Sequence, residues 1–560
     1  MPDRPEAEKI ERLMQHRLDQ WREAHSQFET VDSFYGGTNE LWAEGLRETR
    51  PVSHSNRARQ VIDGAVNTLL AAAPSVTRPP AGEGEGHEAK ADKIELFLEA
   101  VFEQSSLAEP LLPWKQIAKY LVGYGYTVIE GPILNVGEEK PKRGAGETAE
   151  EWELREAQWE NDRKNTCFVR LRSPNPASVL LDPWEKRPRD AVVLRRMERG
   201  KLQDLTEKKV KTRKYAERFD AGEDLYGLVD VVEQWDRAWH AVKLKGGNML
   251  YMERDTWGYV PFGHGYAGFG LPGSSLERSS PAEMAQGILH GVLDALKRLD
   301  QGKSALHNSL INAGFPPFGT TMENAGRIMQ ALAQGAAIEG VKPEDVWWMK
   351  FPEFQAWMFK ALEDEDREIE TATFSLQLAG FREEGVKTLG QQLILSQAAH
   401  RKFMAAGTQL DYLATNWASN VLRLVDTLGE KVTVGGHTIG PEDIEHDYTV
   451  KVEFELIDPV LQMQKQELGM REVQVGLKSK ETYWADDARL ADATGEQHRL
   501  AEDRLRQHPA YINMMMAEAA KKRGMMELAE MFEADARKAI EVLRAQTTPQ
   551  PPAVQPQGGM

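Results

Sequence analysis

An α+β fold, mainly helical, is predicted by three observations. Across most of the chain the apolar residues recur three and four apart, the period of one helix face. Between about 124 and 262 the period drops to two, as in Cys167-Phe168-Val169-Arg170-Leu171-Arg172 and Ala191-Val192-Val193-Leu194. The chain has 560 residues, more than one compact core accommodates, so two to four lobes are expected.

Taken in order, Ala7 to His25 reads as a helix followed by an aromatic patch of Phe28, Phe34, Tyr35 and Trp42. Val61 to Ala73 is a second amphipathic helix, stopped by Pro74 and Pro79-Pro80. The polar Ala81–Ala91 stretch predicts a mobile linker. Ile94 to Phe102 and Trp114 to Val122 read as helices, the latter running into a strand over Gly123 to Glu130. Gly137 to Glu151 is charged and glycine-rich, which predicts a loop. Strands are then expected at Cys167–Arg172, Ser178–Pro183 and Ala191–Leu194, with a hairpin from Leu228–Trp239 and Ala241–Met252.

The rest is organised around Ser279 to Gly380. Ser280-Pro281 with Glu283 three residues after the serine has the form of a capping box, so a long helix should start there. Its apolar face would hold Met284, Ile288, Leu289, Val292, Leu296 and Leu299. It should end at Asn312-Ala313-Gly314, because the prolines of Phe315-Pro316-Pro317-Phe318 lack an N–H and clash with the preceding turn. A second long helix is expected from Phe354 to Leu378, carrying Trp357, Met358, Leu362, Ile369, Ala372 and Leu376. Between them the pattern predicts a short helix, Met322–Gln334, and two extended runs, Phe315–Phe318 and Val346–Lys350. A helix pair this long offers each helix one partner, so neighbouring copies are expected to cover the remaining apolar surface. Beyond it lie a long helix from Thr388 to Asp426 with a bend at Gly407, strands at Val432–Val434 and Tyr448–Leu456, and helices from Asp458 to Ala545. The Gln/Pro/Gly-rich Gln546–Met560 should be disordered.

Composition excludes several functions. Asp and Glu number 87 against 69 Lys and Arg, a net charge of −18, which argues against static grip on nucleic acid. The single cysteine, Cys167, excludes an intramolecular disulfide framework and a zinc site built on several cysteines. The charged Met1–Arg22 does not resemble a secretory signal, and no apolar run approaches the ~20 residues that span a bilayer, so a soluble chain is expected.

Motifs for chemistry are equally sparse. No H-E-x-x-H, G-x-S-x-G or EF-hand spacing occurs, and the histidines are scattered singly. Gly302-Lys303-Ser304 looks like the end of a phosphate loop, but Lys297 stands where the first glycine belongs and a helix surrounds it. Gly263-His264-Gly265-Tyr266-Ala267-Gly268 fits G-x-G-x-x-G, yet Phe269-Gly270-Leu271-Pro272-Gly273 follows where a dinucleotide site needs a helix. It reads as a flexible linker. No catalytic residue, metal or cofactor is expected. Two charged clusters remain: Glu363-Asp364-Glu365-Asp366, a solvated helix face or a pore lining, and Lys186-Arg187-Pro188-Arg189 with Arg195, Arg196 and Arg199, a phosphate contact or a β edge guarded by charge. The aromatic cluster Trp347, Trp348, Phe351 and Phe354 reads as core or as an interface anchor.

The order of these segments resembles that of the portal proteins of tailed bacteriophages, short-tailed phages in particular. The resemblance is carried by Leu121-Val122-Gly123-Tyr124-Gly125-Tyr126-Thr127-Val128, by Val179-Leu180-Leu181-Asp182-Pro183 with Arg189-Asp190-Ala191, by Asn308 to Gly319, and by Thr388-Leu389-Gly390-Gln391-Gln392-Leu393. It implies a ring, typically of twelve subunits, at one capsid vertex, through which double-stranded DNA is packaged and ejected without specific contacts. Residues 1–280 would form N-terminal helices and a β-rich wing, 281–312 and 354–379 the stem helices, and 313–353 the clip. Residues 380–387 would be the tunnel loop, 388–457 a bent helix with further wing strands, 458–545 a helical crown and 546–560 a disordered tail. The implied partners are further copies of the chain, the terminase large subunit, head-completion, adaptor and tail proteins, and the major capsid and scaffolding proteins, with no membrane.

The resemblance places Arg382, Glu383, Glu384 and Lys387 at the DNA channel, Glu363, Asp364, Glu365 and Asp366 along the stem lining, and Lys342, Glu344, Asp345, Trp347, Trp348 and Lys350 at the docking clip. Twelve copies at −18 would carry about −216, and such a channel repels DNA and prevents sticking. The alternative is a helical cytosolic adaptor or scaffold with no DNA channel, which explains the charge but leaves the helix–tip–helix unit without a purpose.

Overall fold

A computed structural model describes residues 5–44, 52–71, 73–80, 82, 85–107, 109–135, 148, 151–157, 167–212, 216–222, 224–254, 257–271, 279–314, 318–320, 326–328, 330, 342, 346–348, 356–373, 402–454, 459–477, 483, 509–522 and 525–547. In chain order these hold α1 (Ala7–Gly36), α2 (Arg57–Leu69), β1 (Ser75–Thr77), α3 (Glu85–Leu107), α4 (Pro113–Tyr124), β2 (Tyr126–Leu134), β3 (Val169–Arg172), β4 (Val179–Leu180), β5 (Asp190–Glu198) and α5 (Arg199–Thr212). Next come β6 (Leu228–Asp236), β7 (Trp239–Leu244), β8 (Met249–Arg254), β9 (Phe262–Tyr266), α6 (Pro281–Met284), α7 (Leu293–Gly314), β10 (Phe318–Thr320), β11 (Val346–Trp348), α8 (Ala356–Ala372) and α9 (Met404–Leu428). The last are β12 (Val432–Val434), β13 (His437–Ile439), α10 (Pro441–Ile444), β14 (Lys451–Glu453), α11 (Pro459–Val475), α12 (Pro509–Lys522) and α13 (Met526–Thr547). The fold is α+β and mainly helical, and it divides into Met1–Ile457 and Asp458–Met560.

Two antiparallel sheets build the β region of the first unit. One has the order β3-β2-β9, with Tyr126 opposite Tyr266 and Glu130 opposite Phe262. The other is a meander, β4-β5-β6-β7-β8, in which β6, β7 and β8 stand where one hairpin was expected. The second expected strand is broken by Lys245-Gly246-Gly247-Asn248, since Gly246 supplies the left-handed φ of 68° that the turn requires. The missed helix α5 packs against this sheet through Leu202. It leads to Ala216, which forms a bridge to Tyr251 outside the strand ladder, and Glu217 N donates to Leu250 O at 2.6 Å.

Several boundaries differ from those expected. α1 continues past His25 because its buried stripe, Ile10, Met14, Arg17, Trp21, Ala24, Phe28 and Val31, keeps its spacing through the aromatic patch. Gly37 then closes it with φ 66°. α3 begins at Glu85, inside the stretch expected to be a mobile linker. Ala91, Ile94, Phe97 and Leu98 bury one face, and Lys93 reaches Asp443 at 2.7 Å on the other. The G-x-G-x-x-G stretch is likewise no linker: Phe262–Tyr266 is β9, a sheet strand beneath α9. A Cβ on Gly263 would stand 2.9 Å from Ile129 Cγ2, and one on Gly265 would stand 2.2 Å from Gln409 Nε2, so the glycines permit close packing rather than freedom. The chain is helical through Gly407, which lies in the first turn of α9, and the expected helix from Thr388 to His400 falls outside the described residues.

The helix expected to run unbroken from Ser280 is also interrupted. The capping box forms as read, with Glu283 N donating to Ser280 Oγ at 3.3 Å and Ser280 N donating to Glu283 Oε2 at 3.0 Å. The helix nevertheless stops at Met284. Ile288 N leaves the helical ladder and donates to Val122 O at 2.9 Å, joining the end of α4, before α7 starts at Leu293.

Three ion clusters tie the elements together. Arg17 of α1 reaches Asp182 at 2.8 Å and Asp190 at 3.5 Å. Arg195 of β5 reaches Glu130 of β2 at 2.7 Å and Glu233 of β6 at 2.9 Å, so one guanidinium bridges both sheets. Glu253 of β8 accepts from Lys209 of α5 at 2.6 Å and lies 3.2 Å from His240 Nδ1. Burial works to raise the Glu253 pKa, but the hydrogen bonds from His240 and Lys209 more than offset it and hold the carboxyl at about 2. His264 is shifted the opposite way relative to its charge: burial lowers its pKa and favours the neutral ring, whose Nε2–H donates to Glu185 O at 2.6 Å.

The sign of both effects is the same on acidification. The unfolded chain takes up a proton at a histidine near 6.5, and at a glutamate near 4.5, before the folded chain does. Stability should therefore begin to fall below about pH 6.5, and fall further from about 4.5 toward 2. Melting midpoints measured across that range should show both losses, and Glu253→Gln should flatten the lower one. An unchanged lower slope in that variant would refute the assignment to Glu253.

The second unit contains α11 and a helical hairpin of α12 and α13. Ala517, Ala520, Ala529 and Ala536 are buried, so small side chains let the hairpin helices approach closely, and Lys521 pairs with Glu533. No helix among the described residues is long and apolar enough to cross a membrane.

Candidate functional site

The sequence points to the helix pair and its tip as the functional element, and α7 and α8 do form an antiparallel pair. Arg298 of α7 donates to both carboxylate oxygens of Glu365 on α8, Nε at 2.7 Å and Nη2 at 3.0 Å. One turn along, Gly302 faces Leu362 so closely that a Cβ would stand 2.3 Å from Leu362 Cδ2. The glycine of the apparent phosphate loop is thus a helix-crossing residue. Its neighbour Ser304 is fully buried, and its Oγ accepts from Ser53 N at 2.8 Å. Asp300, a turn earlier, accepts from Ser55 N at 2.8 Å. Residues 53–55 are stitched along α7 by these two groups, a function that the Gly-Lys-Ser pattern conceals.

The acidic run is divided between two environments. Glu363 and Asp364 are exposed. Glu365 pairs with Arg298, and Asp366 pairs with Arg57 at the start of α2, at 3.0 Å. Arg57 also lies 3.7 Å from Glu370, and its side chain is only 12% exposed. Arg57 was not singled out in the sequence, because nothing local marks a basic residue whose partners lie some three hundred positions further on.

At the tip, β10 and β11 pair antiparallel, Phe318 opposite Trp348 and Thr320 opposite Val346. Both extended runs were expected; of the first, only Phe318 lies within the described residues, and its strand continues to Thr320. Residues 326–328 between them are helical. Trp347 lays its indole over Gly319 and is 49% exposed, and Lys342 is exposed. Glu344, Asp345 and Lys350 lie outside the described residues, as do Arg382, Glu383, Glu384 and Lys387.

The basic run does not act as one cluster. Arg195 is consumed by Glu130 and Glu233, Arg196 pairs with Asp230 at 2.9 Å, and Arg189 pairs with Glu185 at 2.9 Å. Arg199 sits over the Phe219 ring. Lys186 and Arg187 turn away from these, and Lys186 Nζ stands 4.0 Å from the centre of the Tyr412 ring on α9. Among the described residues no group of histidine, cysteine, aspartate and glutamate side chains is placed to hold a metal ion.

No protein-family model matches the sequence. No curated protein matches it either. Among solved structures, one similar chain belongs to the virion of a native gene transfer agent particle, with TM-score 0.33, 12% identity, and coverage of 82% of this chain and 92% of that one. A likeness of that degree carries no argument about what this chain does.

Proposed function

We propose that this chain is the subunit of a portal ring: a channel at a capsid vertex through which double-stranded DNA is packaged and ejected, with no catalytic step of its own. The observation that carries the reading is the antiparallel pair α7–α8 ending in the β10–β11 tip, with large apolar groups left at the surface. Leu310 of α7 is 62% exposed and Trp347 at the tip 49% exposed, and a neighbouring copy of the pair would cover them. The order of elements, helices and β sheets before the pair and a helix with short strands after it, supports the same reading. So does the charge, since an acidic conduit lets duplex slide without sticking.

In this reading α7 and α8 are stem helices and the β10–β11 tip is the clip that docks the terminase large subunit and then head-completion, adaptor and tail proteins. Glu363 and Asp364 are the acidic residues left to face a channel, and Arg382, Glu383, Glu384 and Lys387 form the loop nearest DNA. The ring would sit in the virion, contacting major capsid and scaffolding proteins.

The test is mass in solution. Native mass spectrometry should find a species near twelve times 63.1 kDa, about 757 kDa, with a central hole on imaging. A strict monomer or dimer over a wide range of concentration and salt, and again with co-expressed capsid components, would overturn the reading and leave a helical adaptor.

A further inference from the structure

A cavity of about 240 Å³ opens between α9 and the chain segments at 186–188 and 258–260, well away from the helix pair in sequence. Four cations line it, Lys186, Arg187, Arg237 and Arg423, and among the described residues no aspartate or glutamate does. In a chain of net charge −18 that concentration is unusual. The carboxylates nearest these cations in sequence are already engaged. Glu185 holds Arg189 at 2.9 Å, Asp236 accepts from Ala238 N and Trp239 N at 2.7 Å, and Asp426 accepts from Tyr448 and is bonded to His446. Among the described residues no ion pair therefore neutralises the cavity.

The uncharged lining suits an anion as well. Asn416, Ser419, Asn420 and Arg423 stand at i, i+3, i+4 and i+7, one face of α9, so three neutral polar groups and a guanidinium address the same space. Trp417, in the same wall, is 1% exposed, and among the described residues its indole N–H has no hydrogen-bond partner. That nitrogen stands 3.2 Å from where a Cβ on Gly131 would be, and Gly131 also lines the cavity. A side chain there would crowd the indole, and would meet Arg170 O at 2.4 Å first.

We propose that this cavity binds a phosphate group, carried either by free inorganic phosphate or by a nucleic-acid backbone. Arginine forks match phosphate oxygens in pairs, lysine adds a point charge, and amide and hydroxyl groups complete the shell. The volume lies below the roughly 300–1,000 Å³ of pockets for drug-sized ligands, which fits one phosphate group and not a whole nucleotide. The proposal concerns the single chain and stands whether or not twelve copies assemble.

Isothermal titration of the full chain with inorganic phosphate, and separately with a short DNA duplex, tests it against Arg187→Gln/Arg423→Gln. The parent should bind at least one probe, and the double variant should bind that probe at least about tenfold more weakly while keeping its melting midpoint. Phosphate bound without duplex identifies the free anion; duplex bound and lost in the variant identifies the backbone. Should that variant fail to fold, Lys186→Gln/Arg237→Gln, the other two cations of the lining, gives the same reading. No binding of either probe by the parent, or equal binding by a folded variant, overturns the proposal.

Discussion

Arg195→Met is expected to destabilise the chain by about 3–5 kcal/mol, read as a fall in the denaturant midpoint of the first unit. The guanidinium lies between Glu130, 3% exposed on β2, and Glu233 on β6, and it is the ionic contact between the two sheets. Methionine fills much of the same volume, so packing is largely kept while two carboxylates lose their counter-charge in a poorly solvated place. Adding Glu130→Gln and Glu233→Gln to that variant should return more than half of the loss, because neutral amides need no counter-ion. If the triple variant is no more stable than Arg195→Met alone, the loss comes from packing and the ionic account fails.

Gly287→Ala is expected to cost about 3 kcal/mol or more, and to yield little folded protein. A Cβ at this position would stand 1.7 Å from Gly123 O, a backbone atom that no side-chain rotation can move aside. The same join is tight from its other side, where Gly125 has φ 73° and its own Cβ would stand 2.0 Å from Gln286 O. Two backbones touch here, at the end of α4 and in the break between α6 and α7. Gly291→Ala is the control: only four residues away, its Cβ would meet nothing within 4 Å and should be near neutral. Equal melting midpoints for the two variants would show that the join yields.

What was legible in the sequence follows the range of the forces involved. Local determinants read correctly: the Ser280–Glu283 capping box and the proline stop after Gly314 both depend on neighbours a few positions apart. The break after Met284 was not legible, because Ile288 leaves its helix for Val122, more than 160 positions earlier. The glycines of β9 misled for the same reason. Their role is set by Gln409 and Ile129, which no local pattern brings to Gly265 and Gly263. Of the candidate site, the helix pair and its short strands were legible from period and prolines, and the division of Glu363–Asp366 between solvent and Arg298 and Arg57 was not. The basic run shows the limit from the other side. Six clustered charges invited one role, and pairing leaves Lys186 and Arg187 to line a cavity with Arg237 and Arg423 instead.

The bridge between Ala216 and Tyr251 has a consequence for how one copy of this chain meets another. β8 is the outer strand of the five-stranded sheet, and an open outer strand offers unpaired N–H and C=O groups to any other chain it meets. Glu217 N occupies Leu250 O, and Tyr251 is taken by the same returning segment. At the opposite margin β4 spans only Val179–Leu180, too short to template a partner. Newly made chains crowded together therefore meet one another with both margins of this sheet blunted, and strand-to-strand precipitation is discouraged.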